Sequence, residues 1–249
     1  MHWSNYFRLV TQIGIRYFLI AGIAFFFFYR IFRNQRKYRK LQPRIPKAMD
    51  YGREISYSLL TIAIFAAVPL FILNYPPIAA RNTFYRGISE HGWIYFFVAF
   101  PIMFLMHDTY FYWCHRLMHT RILFKVVHLV HHRSTNPSPW AAYAFHPLEA
   151  VIEAGIFAVF LFTIPVHIFH ILIFFLLMII YNVYGHLGYE LYPKGFHKHW
   201  LGKWINTSVS HNQHHQYFRG NYGLYFTFWD RIMHTLRPDY DLQYEKMVG

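Results

Sequence analysis

Three clusters of histidines are the residues of this sequence best suited to chemistry. They are His115-Arg-Leu-Met-His119, His128-Leu-Val-His131-His132 and His211-Asn-Gln-His214-His215. Residues three and four apart lie on one face of a helix, so each cluster would point two or three imidazoles in one direction. Imidazole is a common ligand of iron, zinc, copper and nickel. Eight imidazoles exceed the needs of one tetrahedral zinc ion, so the pattern predicts a site for two metal ions.

A carboxylate and a phenol are predicted to share the helix face of the first cluster. At 100° per residue, Asp108, Tyr112, His115 and His119 fall in one stripe, and His107 lies off it. Metal-bound imidazoles usually donate their second N–H to a carboxylate or carbonyl. Asp108 is a candidate for that role, although an ion pair between Asp108 and Arg116 explains it equally well. Asp108 and Tyr112 are therefore predicted to be catalytic side chains beside the metals.

The composition indicates a membrane protein of one domain, or two at most. Only 14% of the residues are charged, against about 25% in ordinary soluble domains. The net charge of +13 could suggest nucleic acid, but eight basic residues and no acid lie between Arg30 and Lys47, beside an apolar stretch. Such a cluster attracts anionic lipid and marks the cytoplasmic side. A membrane is predicted and nucleic acid is not. The single cysteine, Cys114, excludes an internal disulfide and a cysteine-based zinc site.

Apolar stretches predict the helices that hold the histidines. Three candidate spans cover Leu9–Phe32, Ile55–Ala80 and Trp93–Trp113, and Asn82–His91 is a polar connection. No Asp, Glu, Lys or Arg lies between Glu153 and Glu190, and one helix of that length would far exceed the ~30 Å hydrocarbon core. A hairpin is predicted instead, with arms Ala150–Ile164 and Ile168–Tyr184 and a turn at Pro165–His167. One long helix that tolerates Pro165 is the alternative.

The predicted fold is all-α: about four membrane-embedded helices, the last two forming a hairpin, capped by a cytoplasmic histidine-rich helical domain. With the Arg30–Lys47 loop in the cytoplasm, the N-terminus lies outside and the third span returns inward to deliver the first cluster. The hairpin enters and leaves on that side, so all three clusters converge there. His167 and His170, although three residues apart on an apolar helix, would then lie ~20 Å away, at the hairpin tip.

The three clusters resemble the HxxxH, HxxHH and HxxHH boxes of the fatty acid hydroxylase/sterol desaturase superfamily. The resemblance extends to His107-Asp-Thr-Tyr-Phe-Tyr-Trp-Cys-His115-Arg, Ala144-Phe-His146-Pro-Leu-Glu, Asn221-Tyr-Gly and Trp229-Asp-Arg231. It covers residues 102–238, and it is closest to the sterol C5-desaturase and C4-methyl oxidase branch. It divides the chain into N-terminal membrane helices with the basic loop (1–90), a catalytic region (91–238) and a C-terminal tail (239–249).

The resemblance implies a non-haem di-iron oxidoreductase that uses O2 and two electrons to hydroxylate or desaturate an aliphatic C–H bond of a lipid. It implies an integral membrane protein of the bacterial inner membrane or the endoplasmic reticulum. No cytochrome b5-type His-Pro-Gly-Gly pattern occurs in the sequence, so a separate electron carrier, a ferredoxin or a cytochrome b5-like protein, is expected. The implied iron ligands are His115, His119, His128, His131, His132, His211, His214 and His215, and His186 in Tyr-Gly-His186-Leu-Gly resembles an additional one.

Other interpretations of the histidines remain open from the sequence. A membrane metal transporter or metal-binding protein is the main alternative, although transporters usually place ion sites at the bilayer midplane. A hydrolase with zinc-bound hydroxide would need only three protein ligands and an open position. His146 is either a neighbour of the ligands or a loop anchor, and His107 stands where several relatives carry an acid. The sequence distinguishes neither hydroxylation from desaturation nor one lipid from another.

Overall fold

Two long helices separated by the basic loop open the chain. The structure is a computed structural model that describes residues 3–33 and 40–248. Helix α1 covers Trp3–Phe26 and continues as a π-helical turn, Phe27–Ile31; α2 covers Ala48–Asn74 and the short α3 Pro76–Ala79. Helix α2 begins before the apolar stretch because the Asp50 carboxylate accepts the Lys47 backbone N–H at its first turn. It passes through Pro69 and ends at Tyr75, whose extended backbone suits the proline that follows.

The third long helix carries the first histidine cluster. Strand β1, Phe84–Tyr85, and a 3₁₀ turn, Ile88–Glu90, precede α4, which runs from Gly92 to Met118. Helix α5, Arg121–Leu123, leads into a π-helical segment, Phe124–His128, and then into α6, Leu129–His132. The wide π-helical turn changes the angular spacing of side chains, as it often does at functional sites, and the second cluster starts within it. A 3₁₀ turn at Pro139–Tyr143 follows.

The hairpin is confirmed. Helix α7 covers Pro147–Thr163, strand β2 Val166–His167, and α8 Ile168–Gly185. The tip packs against the chain between α3 and α4, where β1 pairs in parallel with β2. Tyr95 also donates its hydroxyl to the Pro165 carbonyl at 2.7 Å. Pro165 therefore lies in a turn rather than inside a helix.

The C-terminal part is made of short helices. Two 3₁₀ turns, Phe196–Lys198 and Gly202–Trp204, lead to α9, Ser208–Tyr217, which carries the third cluster. Helices α10, Phe228–Ile232, and α11, Tyr240–Val248, complete the chain. The predicted all-helical class is confirmed, since β1 and β2 of two residues each are the strands found in the described residues.

Within the described residues, four helices are long and apolar enough to cross a membrane: α1 with its π-helical turn, α2, α4 and α8. This agrees with the predicted number and defines an integral membrane protein. Helix α7, at 17 residues, would be ~26 Å long and slightly short of a full span. It packs against α2, while α8 packs against α1 and α4. The hairpin is thus part of the helical bundle rather than an addition to it.

The described part of the basic loop lies at the same end of the molecule as the third histidine cluster. Three of its predicted cationic residues, Arg36, Lys37 and Arg39, fall outside the described residues. Lys40 donates to the Asn136 side chain at 3.0 Å, and Gln42 donates to the side chain of Asn212, next to His211, at 3.1 Å. Burial lowers the pKa of Lys40 to about 8. This placement agrees with the expected topology, and the identity of the membrane side stays a prediction.

Candidate metal centre

Nine histidines converge in two adjoining groups, and they are the nine that the sequence and the resemblance suggested. Within each group the candidate ligand nitrogens lie within 4.8 Å of one another. The first group is His115, His119, His128, His132 and His214, and the second is His131, His186, His211 and His215. The rings of His132 and His215, one from each group, are 4.9 Å apart between centroids. The arrangement offers two neighbouring positions for metal ions.

Helix ends bring the nine imidazoles together. His115 lies in the last turn of α4, and His119 is the residue that ends it. The second cluster spans the π-helical segment and α6, and the third lies on α9. His186 ends α8, so the hairpin returns it to the level of the other clusters. The second cluster divides between the two groups, and so does the third.

The outward ring nitrogens are held by hydrogen bonds that fix the tautomer. In the first group, the Nδ1–H of His115 donates to the Tyr222 carbonyl at 2.9 Å, and that of His214 to the Gly220 carbonyl at 2.8 Å. In the second group, the Nδ1–H of His186 donates to the Asn182 carbonyl at 2.8 Å and that of His215 to the Ser134 carbonyl at 3.0 Å. A carbonyl oxygen can only accept, so the proton is on Nδ1 and the Nε2 lone pair faces the group.

The inward nitrogens lie at the spacing of ligands around a metal ion. Nε2 of His115 is 3.0 Å from Nε2 of His128, and Nε2 of His186 is 3.2 Å from Nε2 of His215. With metal–nitrogen bonds of ~2.05 Å, two ligands at 90–109° would be about 2.9–3.3 Å apart. Two bare lone pairs at this distance repel each other unless a cation lies between them. The donor set therefore fits a metal ion in each group.

Burial keeps these imidazoles neutral, which is the form that binds metal. Removal from water lowers the pKa of His128, His131, His132, His211, His214 and His215 well below the usual value. The same effect lowers the pKa of His119 to about 2 and that of His186 to about 4. At neutral pH the lone pair that would bind the metal ion therefore carries no proton. The histidines can ligate without first losing a proton.

Asp108 and Tyr112 are placed differently from the prediction. The Asp108 carboxylate accepts the backbone N–H groups of Tyr225 at 2.8 Å and Phe226 at 3.1 Å, so it meets neither a box histidine nor Arg116. The Tyr112 hydroxyl lies 2.9 Å from the Thr235 hydroxyl and accepts from Arg116 at 3.2 Å. These residues do share one face of α4, but the N-terminal part of that face, at Asp108, packs against the loop that follows α9. Asp108 holds that loop in place, whereas the Tyr112 hydroxyl bonds to Thr235 beyond α10 and to Arg116. Among the described residues, neither side chain makes a hydrogen bond to a box histidine.

The carboxylate that supports a histidine is Glu149, which the sequence reasoning missed as a functional residue. Its Oε1 accepts the Nδ1–H of His128 at 2.7 Å. Glu149 lies in the first turn of α7, is 1% exposed, and pairs with no Lys or Arg among the described residues. It ends the Ala144-Phe-His146-Pro-Leu-Glu stretch, and that motif was the available signal. Such a partner orients the imidazole and raises its basicity toward a metal.

Asp230 fixes the loop whose carbonyls receive the imidazole protons. Its carboxylate accepts the backbone N–H groups of Tyr222 at 2.9 Å and Gly223 at 2.8 Å, and the Thr235 hydroxyl at 2.7 Å. A Cβ at Gly223 would lie 2.2 Å from the Phe226 carbonyl oxygen, so the loop needs glycine there. The Asn221-Tyr-Gly and Trp229-Asp-Arg231 motifs are thus explained by their support of His115 and His214.

The remaining histidines with open roles lie outside both groups. His146 is a loop anchor, because its Nδ1 accepts the Leu148 backbone N–H at 3.3 Å at the start of α7. His107 pairs with the Tyr225 hydroxyl at 3.0 Å. At the hairpin tip, Nε2 of His167 donates to the Arg86 carbonyl at 2.8 Å and Nε2 of His170 to the Phe96 carbonyl at 2.9 Å. The expected separation of His167 and His170 from the metal centre is seen in the structure.

Replacing His170 with glutamine should leave metal content and turnover largely unchanged. Among the described residues, its ring nitrogens bond to the His167 N–H at the hairpin tip and to the Phe96 carbonyl in the first part of α4. The same change at His131 or His214 should abolish turnover, because each belongs to a histidine group that could hold a metal ion. Metal analysis of the purified variants, together with an assay of lipid conversion, measures both effects. Loss of metal from the His170→Gln variant would contradict this placement of the centre.

A largely apolar cavity of about 310 Å³ leads to the histidines. Its walls come from α1, α2, α4, α7 and α8, and His115, His128, His131, His186 and His211 lie at one end. Along α8 the lining extends from His186 back to Ile168, which is ~27 Å of helix. A long apolar cavity that ends at these histidines suits a hydrocarbon ligand.

Fold and site together define a helical membrane protein with a two-group histidine centre at the end of an apolar cavity. Residues 100–235 match the model of the fatty acid hydroxylase family. The chain belongs to that family.

Curated relatives agree with this assignment. The chain is 32% identical over 219 residues to a Delta(7)-sterol 5(6)-desaturase of Gibberella zeae, an alignment that covers 85% of this chain and 65% of the relative. It is 30% and 29% identical over 231 residues to the lathosterol oxidases of Homo sapiens and Mus musculus, covering 90% of this chain and 72% of each relative. No solved structure matches the chain. The resemblance to the superfamily and to its sterol desaturase branch is confirmed.

Proposed function

We propose that this protein is a non-haem di-iron oxidoreductase that hydroxylates or desaturates an aliphatic C–H bond of a membrane lipid. The observation that carries the proposal is the convergence of nine neutral imidazoles, in two groups, at the end of an apolar cavity. Zinc has no redox chemistry, whereas histidine-bound iron with an open position can activate O2. The relatives named as sterol desaturases and lathosterol oxidases favour a sterol or similar lipid as substrate.

The reaction balances with O2, two electrons and two protons. Hydroxylation gives an alcohol and one water, and desaturation gives an alkene and two waters. Two iron ions would supply the redox chemistry, held by His115, His119, His128, His132 and His214 in one group and by His131, His186, His211 and His215 in the other. Glu149 and the Tyr222 carbonyl orient the imidazoles of His128 and His115. The apolar walls hold the hydrocarbon and exclude water.

The electrons are proposed to come from a separate ferredoxin or cytochrome b5-like protein. The described part of the basic loop lies beside α9, with Gln42 bonded to Asn212, so its positive charge is close to the centre. We propose that this is the cytoplasmic side, and that residues 91–238 form the catalytic region. A positive surface near the histidines would suit either an acidic electron carrier or anionic lipid.

The test of this function is turnover by the purified, iron-loaded protein in lipid bilayers. With a Δ7-sterol, a reduced electron carrier and O2, we expect an oxidised lipid by mass spectrometry and two iron ions per active chain. Anaerobic incubation should give no product, because O2 is the oxidant. Equal conversion without O2 would point to a hydrolase, and full activity with one ion per chain would exclude the two-iron site. The zinc-loaded protein is the matched control and should be inactive.

A further inference from the structure

Two buried carboxyl groups line the cavity beside the first histidine group. Glu149 and Glu153 are one helical turn apart on α7, so their side chains lie on the same face, roughly 6 Å apart. Both line the cavity, and they are 1% and 8% exposed. One of their four oxygens has a partner in the histidine groups, because Oε1 of Glu149 accepts a hydrogen bond from His128.

The other carboxyl oxygens of Glu149 and Glu153 have no hydrogen-bond partner among the described residues. Oε2 of Glu149 is buried and makes no hydrogen bond. Across residues 3–33 and 40–248, the Glu153 side chain has neither a hydrogen bond nor an ion pair, although it is buried. A buried carboxyl group without a partner costs free energy. A pair retained in an apolar cavity therefore indicates a polar group on the ligand.

The chemistry of the cavity favours a hydroxyl as that group. A hydroxyl donates one hydrogen bond to a carboxyl oxygen, and it costs less to transfer into an apolar cavity than an ammonium ion does. An anionic head group, such as a free carboxylate or a phosphate, would lose its hydration in this apolar cavity at a much higher cost than a hydroxyl does. Among the described residues, Arg16 is the one Lys or Arg side chain in the lining, and it belongs to α1, near the middle of the 29-residue apolar span.

We propose that Glu153, with the free oxygen of Glu149, binds the hydroxyl group of a lipid alcohol and so presents the carbons near that hydroxyl to the metal centre. The remainder of the lipid extends along α8 toward Ile168. The inference rests on the proposed function and deepens it, because it selects lipid alcohols over free fatty acids and phospholipids. Glu153 is then a specificity-determining residue.

Binding in the absence of O2 and electrons tests this inference without relying on turnover. The probes are dehydroergosterol and 1-octadecanol, each compared with its methyl ether, which cannot donate a hydrogen bond. The full chain is reconstituted with metal in phosphatidylcholine nanodiscs, and dissociation constants are taken from tryptophan fluorescence. At least one alcohol should bind about tenfold more tightly than its ether, as one good hydrogen bond allows.

Variants at residue 153 test whether Glu153 causes the preference for the alcohol over its ether. Glu153→Leu should bring the alcohol-to-ether ratio close to one, and Glu153→Gln should keep most of it, because the amide oxygen still accepts. Gln12→Leu is the matched control, since Gln12 also lines the cavity but comes from α1, and it should keep the wild-type ratio. Two metal ions per chain in each variant show that the fold is intact.

Several outcomes would overturn the inference. They are the absence of any alcohol preference in the wild-type protein, a preference unchanged in Glu153→Leu, or equal loss in Gln12→Leu. Loss of turnover in Glu153→Gln with an unchanged ratio in Glu153→Leu would make Glu153 a proton carrier instead. Failure of the proposed function is recognised separately, because it removes lipid oxidation while the binding ratio persists.

Discussion

Replacing His186 with alanine should release one metal ion per chain and abolish lipid oxidation. Nε2 of His186 lies 3.1 Å from that of His211, 3.2 Å from that of His215 and 3.4 Å from that of His131. It is therefore the nitrogen that contacts every other member of the second group. Its removal leaves three ligands, and the loss should exceed the 10–100-fold that the loss of an outer partner typically costs.

Metal analysis and an anaerobic titration with iron measure this effect. His197→Ala is a matched control, because His197 is also buried, at 2% exposed, but its ring packs against Tyr244 at 4.3 Å between centroids, away from both groups. The control should keep two metal ions and near-normal turnover. If the His186→Ala protein kept both ions, His186 would not be a ligand and the proposed composition of the second metal site would be wrong.

Local periodicity made the histidines and the hairpin predictable. The spacing within each box is a property of one helical turn, and the uncharged stretch after Glu153 could not be one membrane helix. The resemblance added His186, which lies 25 residues before His211 and shares no local pattern with it. How the boxes divide between the two groups was not predictable, because it depends on the angle between α6 and α9.

Helical periodicity identifies the face of a residue but not what packs against that face. Asp108 lies on the same helix face as His115, yet its carboxylate accepts a hydrogen bond from the backbone of Tyr225, 117 residues later in the chain. Glu149 lies on a different helix from His128 and meets it only because α7 packs near the π-helical segment. The motif around Glu149 can be seen in the sequence, but the pairing of Glu149 with His128 depends on tertiary packing.

Replacing Glu149 with leucine should weaken metal binding by the first group about 10–100-fold. The carboxylate accepts the His128 Nδ1–H at 2.7 Å, and its loss frees that ring to rotate and lowers the basicity of Nε2. Glu149→Gln should recover most of the affinity, because its amide oxygen can accept the same proton. Competition with a chelator, followed by metal analysis, gives the affinity of each variant.

Asp108→Ala is the comparison that separates support of a metal ligand from support of the fold. Its loss leaves the backbone N–H groups of Tyr225 and Phe226 without their acceptor, at about 1–3 kcal/mol for each buried donor. We expect a lower thermal midpoint and, in protein that remains folded, a metal affinity close to that of the wild type.

Glu149→Leu should show the opposite result, with metal affinity reduced more than thermal stability. Equal metal affinity in Glu149→Leu and wild type would show that the contact with His128 does not tune the metal, and a selective loss in Asp108→Ala would restore Asp108 to the role first predicted for it.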